Sequence, residues 1–139
     1  MRSYFDTSAL LKLILQESGS TTAEGAARAA TRLHAVTVLL AEAGAALAAA
    51  HQNGRLTPAS YLIAKHSLTV LWAPFLPVVP DMHLVRRAAM LAEQEALRGY
   101  DAVHLAGALE AQVDVFVCSD ADLVRAARNC GLRVVDARV

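Results

Sequence analysis

Apolar and polar positions divide the 139 residues into short apolar runs and longer helical stretches. Tyr4 and Phe5 fit a buried first strand, Ser3 to Asp6, that ends at the acid. Thr7-Ser8 then opens a brief helix over Ala9 to Leu15, and Ser18-Gly19-Ser20 reads as a loop. Ala-rich Thr21 to Arg32 is predicted helical, His34 to Thr37 a second strand, and Val38 to Asn53 a long helix stopped by Asn53-Gly54. Pro58 starts a further helix, to about Leu71. Pro74, Pro77 and Pro80 bracket an edge-like strand, Phe75 to Val79. Asp81 caps a helix through Leu97, closed by Gly99. Asp101 begins another, Ala102 to Gln112. Val113 to Cys118 reads as strand, Asp120 to Asn129 as helix closed by Gly131, and Leu132 to Val135 as a last strand.

Strands that are short, β-branched and apolar alternate with helices. This predicts an α/β protein with a short parallel sheet covered by helices on both faces. No repeat, linker or low-complexity segment interrupts the pattern, so one domain over 1–139 is expected.

Composition adds a partner to that picture. Apolar residues are 55% of the chain and charged ones 19%, richer in apolar surface than an average soluble domain. Some of that surface is expected to meet a second copy, another protein, or both. The longest apolar stretch, Val36 to Ala50, holds Glu42 and falls short of the roughly 20 residues that a membrane span needs. No secretory leader pattern is present, and Cys118 and Cys130 lack disulfide or zinc spacing. A reduced, cytoplasmic protein is expected. Zero formal net charge excludes a protein that grips nucleic acid by bulk charge alone. Most basic residues are nonetheless Arg, which pairs bidentately with phosphate. Arg86, Arg87, Arg98, Arg125, Arg128, Arg133 and Arg138 crowd the second half, where solvated helix faces are the simplest reading.

Four of the thirteen acids stand apart from helix faces and turns. Asp6 directly follows an apolar strand. Glu42 interrupts Leu39-Leu40-Ala41-Glu42-Ala43, and a carboxylate there needs solvent or a partner. Asp101 follows Gly99-Tyr100 at a helix start. Asp120 follows Val115-Phe116-Val117-Cys118. Asp is also a common helix cap, and that reading stays open for Asp101 and Asp120. Sites in open α/β sheets form outside the carboxyl ends of strands, where one pocket could gather all four. Four carboxylates together raise one another's pKa and need a cation. Oxygen donors select hard ions, Mg²⁺ or Mn²⁺, which suit phosphodiester hydrolysis.

In this order the motifs resemble a known family. Tyr4-Phe5-Asp6-Thr7-Ser8-Ala9-Leu10-Leu11-Lys12 resembles the opening motif of PIN-domain nucleases. Glu42 matches the family's helical Glu, Leu97-Arg98-Gly99-Tyr100-Asp101-Ala102-Val103-His104 its third acidic motif, and Val117-Cys118-Ser119-Asp120-Ala121-Asp122 its fourth. The resemblance spans the chain. It implies a PIN-like three-layer fold and the toxin subfamily VapC: small Mg²⁺- or Mn²⁺-dependent endoribonucleases that dimerise and are held inactive by a VapB-type antitoxin. It further implies Asp6, Glu42, Asp101 and Asp120 as catalytic and metal-binding residues, with Thr7 or Ser8 supporting the first motif through a hydroxyl. Two positions depart from the pattern: Cys118 stands where Thr is usual, and Ala41 where Ser often precedes the Glu. Asp122 is a candidate to share the role of Asp120. The substrate expected is RNA.

Other polar and aromatic positions have plainer readings. His104 follows Asp101 by three residues, near the same helix face, and is expected to be a packed helix residue. His34, His51, His66 and His83 show no ligand spacing. Trp72 and Phe75 read as core or dimer contact. Tyr61, Leu62, Leu68, Leu71 and Trp72 form a helical apolar stripe, either core or a groove for the antitoxin. A competing function is a PIN-fold RNA- or protein-binding module with a degenerate, inactive site. An aspartyl phosphatase would need Asp-x-Asp after the first strand, which Asp6-Thr7-Ser8 lacks.

Overall fold

The computed structural model describes residues 1–139 throughout. Its five strands are β1 (Arg2–Phe5), β2 (Arg32–Val36), β3 (Leu76–Val78), β4 (Val115–Cys118) and β5 (Arg133–Asp136), ordered β3-β2-β1-β4-β5 with every pair parallel. The chain steps outward from β1 to β2 and β3, then returns to lay β4 on the other side of β1. That reversal opens a crevice between the carboxyl ends of β1 and β4.

The helices are α1 (Thr7–Leu11), α2 (Ser20–Ala29), α3 (Leu39–Gln52), α4 (Pro58–Trp72), α5 (Met82–Glu95), α6 (Gly99–Glu110) and α7 (Ala121–Asn129). Alternate strand residues point to opposite faces and seed two cores. Tyr4, Val36 and Phe116 pack with Leu91, Leu105 and Leu123 from α5, α6 and α7. Phe5, Ala35 and Val117 pack with Leu10, Ala23 and Leu39 from α1, α2 and α3. The result is the expected three layers.

β3 forms one sheet edge. Pro77 cannot donate to a ladder, and an edge tolerates that. Phe75, expected in this strand, instead turns inward and stacks on Trp72 at 5.6 Å, so the plain core reading of both rings holds.

Several element boundaries differ from expectation, and β2 and β4 begin at Arg32 and Val115 rather than at His34 and Val113. The first helix covers Thr7–Leu11 rather than Ala9 to Leu15. Asp6 caps it two residues early, and Leu13 and Ile14 then bond back only three residues, to Leu10 and Leu11. The second helix ends at Ala29, because Arg32 already pairs with Arg2 across β1 and β2. α5 ends at Glu95, not Leu97. Ala96 takes a left-handed conformation (φ 54°), and the Leu97 N–H returns to the Ala92 carbonyl at 3.1 Å. This turn buries Leu97 in the core, so hydrophobic contact stabilises a conformation usually given to glycine. Gly99 therefore opens α6 instead of closing α5.

One glycine is demanded by space. At Gly19 φ is 89°, and a Cβ would lie 1.8 Å from the Ala137 carbonyl oxygen. No helix is long and apolar enough to cross a membrane.

Candidate active site

Asp6 leaves β1 with its own N–H still in the ladder, donating to the Val117 carbonyl at 3.1 Å. The residue is 4% exposed. Its Oδ1 accepts the Ala9 N–H at 2.9 Å, capping α1. The Ser8 hydroxyl lies 2.7 and 2.8 Å from the two carboxylate oxygens and donates to them. Ser8 Oγ in turn accepts the Ser119 N–H at 3.0 Å, which ties α1 to the loop after β4. Burial pushes the Asp6 carboxyl up to about 6, although His104, the Ala9 N–H and Ser8 pull the other way; Asp101 adds to the rise.

Glu42 sits in the first turn of α3, half-buried. Its Oε1 accepts from the Thr7 hydroxyl at 2.8 Å and from His104 Nε2 at 2.6 Å. Burial pushes its pKa up, but the hydrogen bond and charge of His104, with the Thr7 bond, outweigh this and hold it below the usual range. The two hydroxyls of the first motif thus divide their work: Ser8 supports Asp6, and Thr7 supports Glu42.

Asp101 was expected to begin its helix. It lies instead inside the first turn of α6, behind Arg98 as the cap residue. A carboxylate there faces the positive end of the helix dipole. Burial raises Asp101 and the charge of Asp120 adds to it, with Glu42 acting the same way; Arg98 and His104 oppose the rise. Asp120 does cap its helix, with Oδ1 accepting the Leu123 N–H at 3.0 Å. Capping and a second role at Oδ2 are compatible, as they are for Asp6.

The four acids are therefore brought within electrostatic reach at the crevice between β1 and β4. Asp101 is the hub, feeling Asp120 and Glu42 and acting on Asp6. Beside them opens a cleft of about 670 Å³, lined by Glu42, Asp101, Arg98, Tyr100, Val85 and Ala88 among others. Asp6 and Asp120 are not among the lining residues. No three His, Cys, Asp or Glu side chains stand close enough together to form a ready-made cage for one ion.

The donor chemistry nonetheless fits a hard divalent cation. The gathered donors are carboxylate oxygens, and two of the four acids, Asp6 and Asp101, are raised by burial and by a neighbouring carboxylate charge. The positive charges of Arg98 and His104 only partly offset this, and Mg²⁺ or Mn²⁺ would supply the rest.

Other candidates fall outside the cluster. Asp122 is exposed and paired with Arg125 at 2.9 Å. Cys118 is fully buried, and burial pushes its thiol well up, so it acts as core. Arg87 pairs with Glu110, and Arg138 with Asp136, in line with solvated faces. Arg98, 86% exposed at the cleft mouth, is the Arg nearest the acids, 3.9 Å from Asp101.

His104 was expected to be a packed helix residue. It is packed, at 2% exposure, but it also bonds Tyr4, Thr7 and Glu42. Its spacing of three from Asp101 was the only sign of this in the sequence.

Fold and cluster together define an α/β protein with an acidic pocket at the carboxyl edge of a parallel sheet. The chain belongs to the PIN domain family, which matches residues 3–129. It is similar to Ribonuclease VapC45 of Mycobacterium tuberculosis (strain CDC 1551 / Oshkosh), 36% identical over 138 residues, 98% of this chain and 96% of that one. In fold it is similar to PAE2754 from Pyrobaculum aerophilum, with a TM-score of 0.71, 20% identity, and coverage of 97% of this chain and 84% of that. It is similar also to VapBC-5 from Mycobacterium tuberculosis, a member of the VapBC family of toxin–antitoxin systems. There the TM-score is 0.65 and the identity 18%, covering 97% of this chain and 98% of that.

Proposed function

We propose that this protein is the toxin of a VapBC-type pair, an endoribonuclease that hydrolyses RNA with Mg²⁺ or Mn²⁺ and is silenced by a VapB-type antitoxin. The observation that carries the reading is that Asp6, Glu42, Asp101 and Asp120, from four separate segments, are brought within electrostatic reach around Asp101. The similarity over nearly the full chain to a protein named a ribonuclease supports it.

Asp6, Glu42, Asp101 and Asp120 would hold the cation. When bound, it supplies activation of water and stabilisation of the leaving oxygen. The chain's own residues do the rest. Ser8 and the α1 N-terminus fix Asp6. Thr7 and His104 fix Glu42. Arg98, free to swing at the cleft mouth, offers a guanidinium to a phosphate. The apolar walls at Val85 and Ala88, with exposed Tyr100, give an unpaired base a surface to stack on.

Leu62, Ile63 and Val70 on α4, and Met82 and Met90 on α5, are exposed. This is apolar surface for a second copy and for the antitoxin to cover, as in a cytoplasmic homodimer. Light scattering of the protein alone should give twice the chain mass, and a monomer would count against that part of the reading.

The direct test is cleavage of total bacterial RNA with Mg²⁺, with Mn²⁺ and with EDTA, beside Asp6→Asn. Discrete fragments that need metal and vanish in the variant are expected. No cleavage under any condition, and no growth defect on expression, would favour a degenerate binding module.

A further inference from the structure

The buried pair Tyr4 and His104 has no place among the four acids, yet it connects the sheet backbone to one of them. The Val36 N–H in β2 donates to Tyr4 Oη at 3.1 Å. With one lone pair so engaged, the Tyr4 hydroxyl has its proton to give, and His104 Nδ1 lies 2.9 Å away. Nδ1 must then accept, which places the ring proton on Nε2. Nε2 in turn stands 2.6 Å from Glu42 Oε1 and donates to it.

Packing holds this line in place. Both side chains are essentially inaccessible, Tyr4 at 0% and His104 at 2%. The Tyr4 ring stacks on Phe116 at 5.4 Å and meets His104 edge-on at 5.9 Å. α6 lies so near the ring that a Cβ on Gly107 would be 3.2 Å from Tyr4 Oη. At the far end, His104 and Thr7 both donate to Oε1 of Glu42. Oε2 receives neither bond, on a side chain that lines the cleft.

We propose that Tyr4 and His104 are positioning residues: the β2 backbone sets the tautomer of His104 through Tyr4, and His104 with Thr7 pins Glu42 by one oxygen so that the other is presented to the divalent cation. The presentation rests on the metal-dependent reading above; the tautomer does not. Partners that orient a ligand's side chain commonly govern metal affinity about 10–100-fold.

Two measurements test it. Nitrogen-15 NMR of the metal-free protein, at a pH where the imidazole is neutral, should find the His104 proton on Nε2 rather than Nδ1. A neutral ring that carries its proton on Nδ1 overturns the relay. Mn²⁺ titration of His104→Leu should show affinity weakened about 10–100-fold. His104→Gln, whose amide can still donate to Glu42, should recover most of it. Thermal melts in EDTA check that both remain folded. Unchanged affinity in His104→Leu, or equal losses in the two variants, overturns the positioning role.

Should His104→Leu fail to fold, Tyr4→Phe keeps the packing and removes only the hydroxyl. It should lower Mn²⁺ affinity and mix the two tautomers, and wild-type behaviour on both counts overturns the proposal. Wild-type protein that takes up no Mn²⁺ would instead sink the metal-dependent reading, and the NMR result would still decide the relay.

Discussion

At the scale of single residues, the tension lies in Asp6. A carboxyl that is 4% exposed and pushed up to about 6 is a poor resident of the folded state when ionised. The sign follows from proton linkage. Between the unfolded value near 4 and the folded value near 6, the folded state binds the extra proton, so Asp6 makes the metal-free protein less stable as pH rises through that window. The full effect is about 3 kcal/mol, reached above pH ~6. Asp6→Asn removes it while keeping the shape. Urea denaturation in EDTA at pH 4 and pH 7.5 should therefore show the variant gaining on the wild type at the higher pH, and a constant difference would refute this. The same variant, like Asp101→Asn, should lose cleavage by more than the ~10–100-fold typical of outer-shell changes. Ser8→Ala belongs to that outer shell. It takes from Asp6 a donor and from the Ser119 N–H an acceptor, and should weaken Mn²⁺ binding within the same ~10–100-fold range by calorimetry.

At the scale of elements, the loop before α2 is the most exacting. Gly19 combines a left-handed backbone with contact against the Ala137 carbonyl, on the segment that follows β5. Gly19→Ala should cost at least about 2 kcal/mol, since it adds strain and a clash together. Denaturant midpoints give the answer; a loss under ~0.5 kcal/mol, the range of neutral surface changes, would contradict the packing described. Gly54 is a useful control, because a Cβ there meets nothing within 4 Å, although its φ of 83° still favours glycine. Elements were legible in sequence where burial repeats with a clear period. Tyr4-Phe5 and Val115 to Cys118 are buried on both faces and read directly as central strands. The boundary between α5 and α6 was not legible. Gly99 is the usual helix stop, and only the tertiary burial of Leu97 tells the chain to turn at Ala96. Asp6 and Glu42 stood out because a charge after or within an apolar run is conspicuous. His104 did not, because its partners Tyr4, Thr7 and Glu42 are neighbours only once β1, α1, α3 and α6 have met.

For the whole molecule, a counter-charge in the acidic pocket should act as a folding ligand. Asp6 and Asp101 are raised by burial and by neighbouring carboxylates in the metal-free state, so a cation that binds only the folded chain adds stability by mass action. Mn²⁺ at about a hundred times its Kd contributes about 2.7 kcal/mol. For a chain of this size that is a rise of roughly 5–10 °C in Tm. Scanning fluorimetry with Mn²⁺, Mg²⁺ and Ca²⁺ should show the rise, and Asp101→Asn should blunt it. No shift at millimolar Mn²⁺ would count against a cation site among these acids.

The parallel pairing of β1 with β4 also bears on when the acidic cluster forms during synthesis. Ser8 and Ser119, which tie Asp6 to the loop of Asp120, are 111 residues apart in the chain. A nascent chain leaves the ribosome amino end first, at about 5–20 residues per second. The first acid therefore waits for more than 111 further residues before its last partner exists. Neither half alone holds the set, and a message cut short before Asp120 yields a chain without all four acids. Under the proposed function, a cell translating this chain has several seconds in which the product is unarmed, and an inhibitor that reaches its surface within that interval meets the weapon before it is assembled.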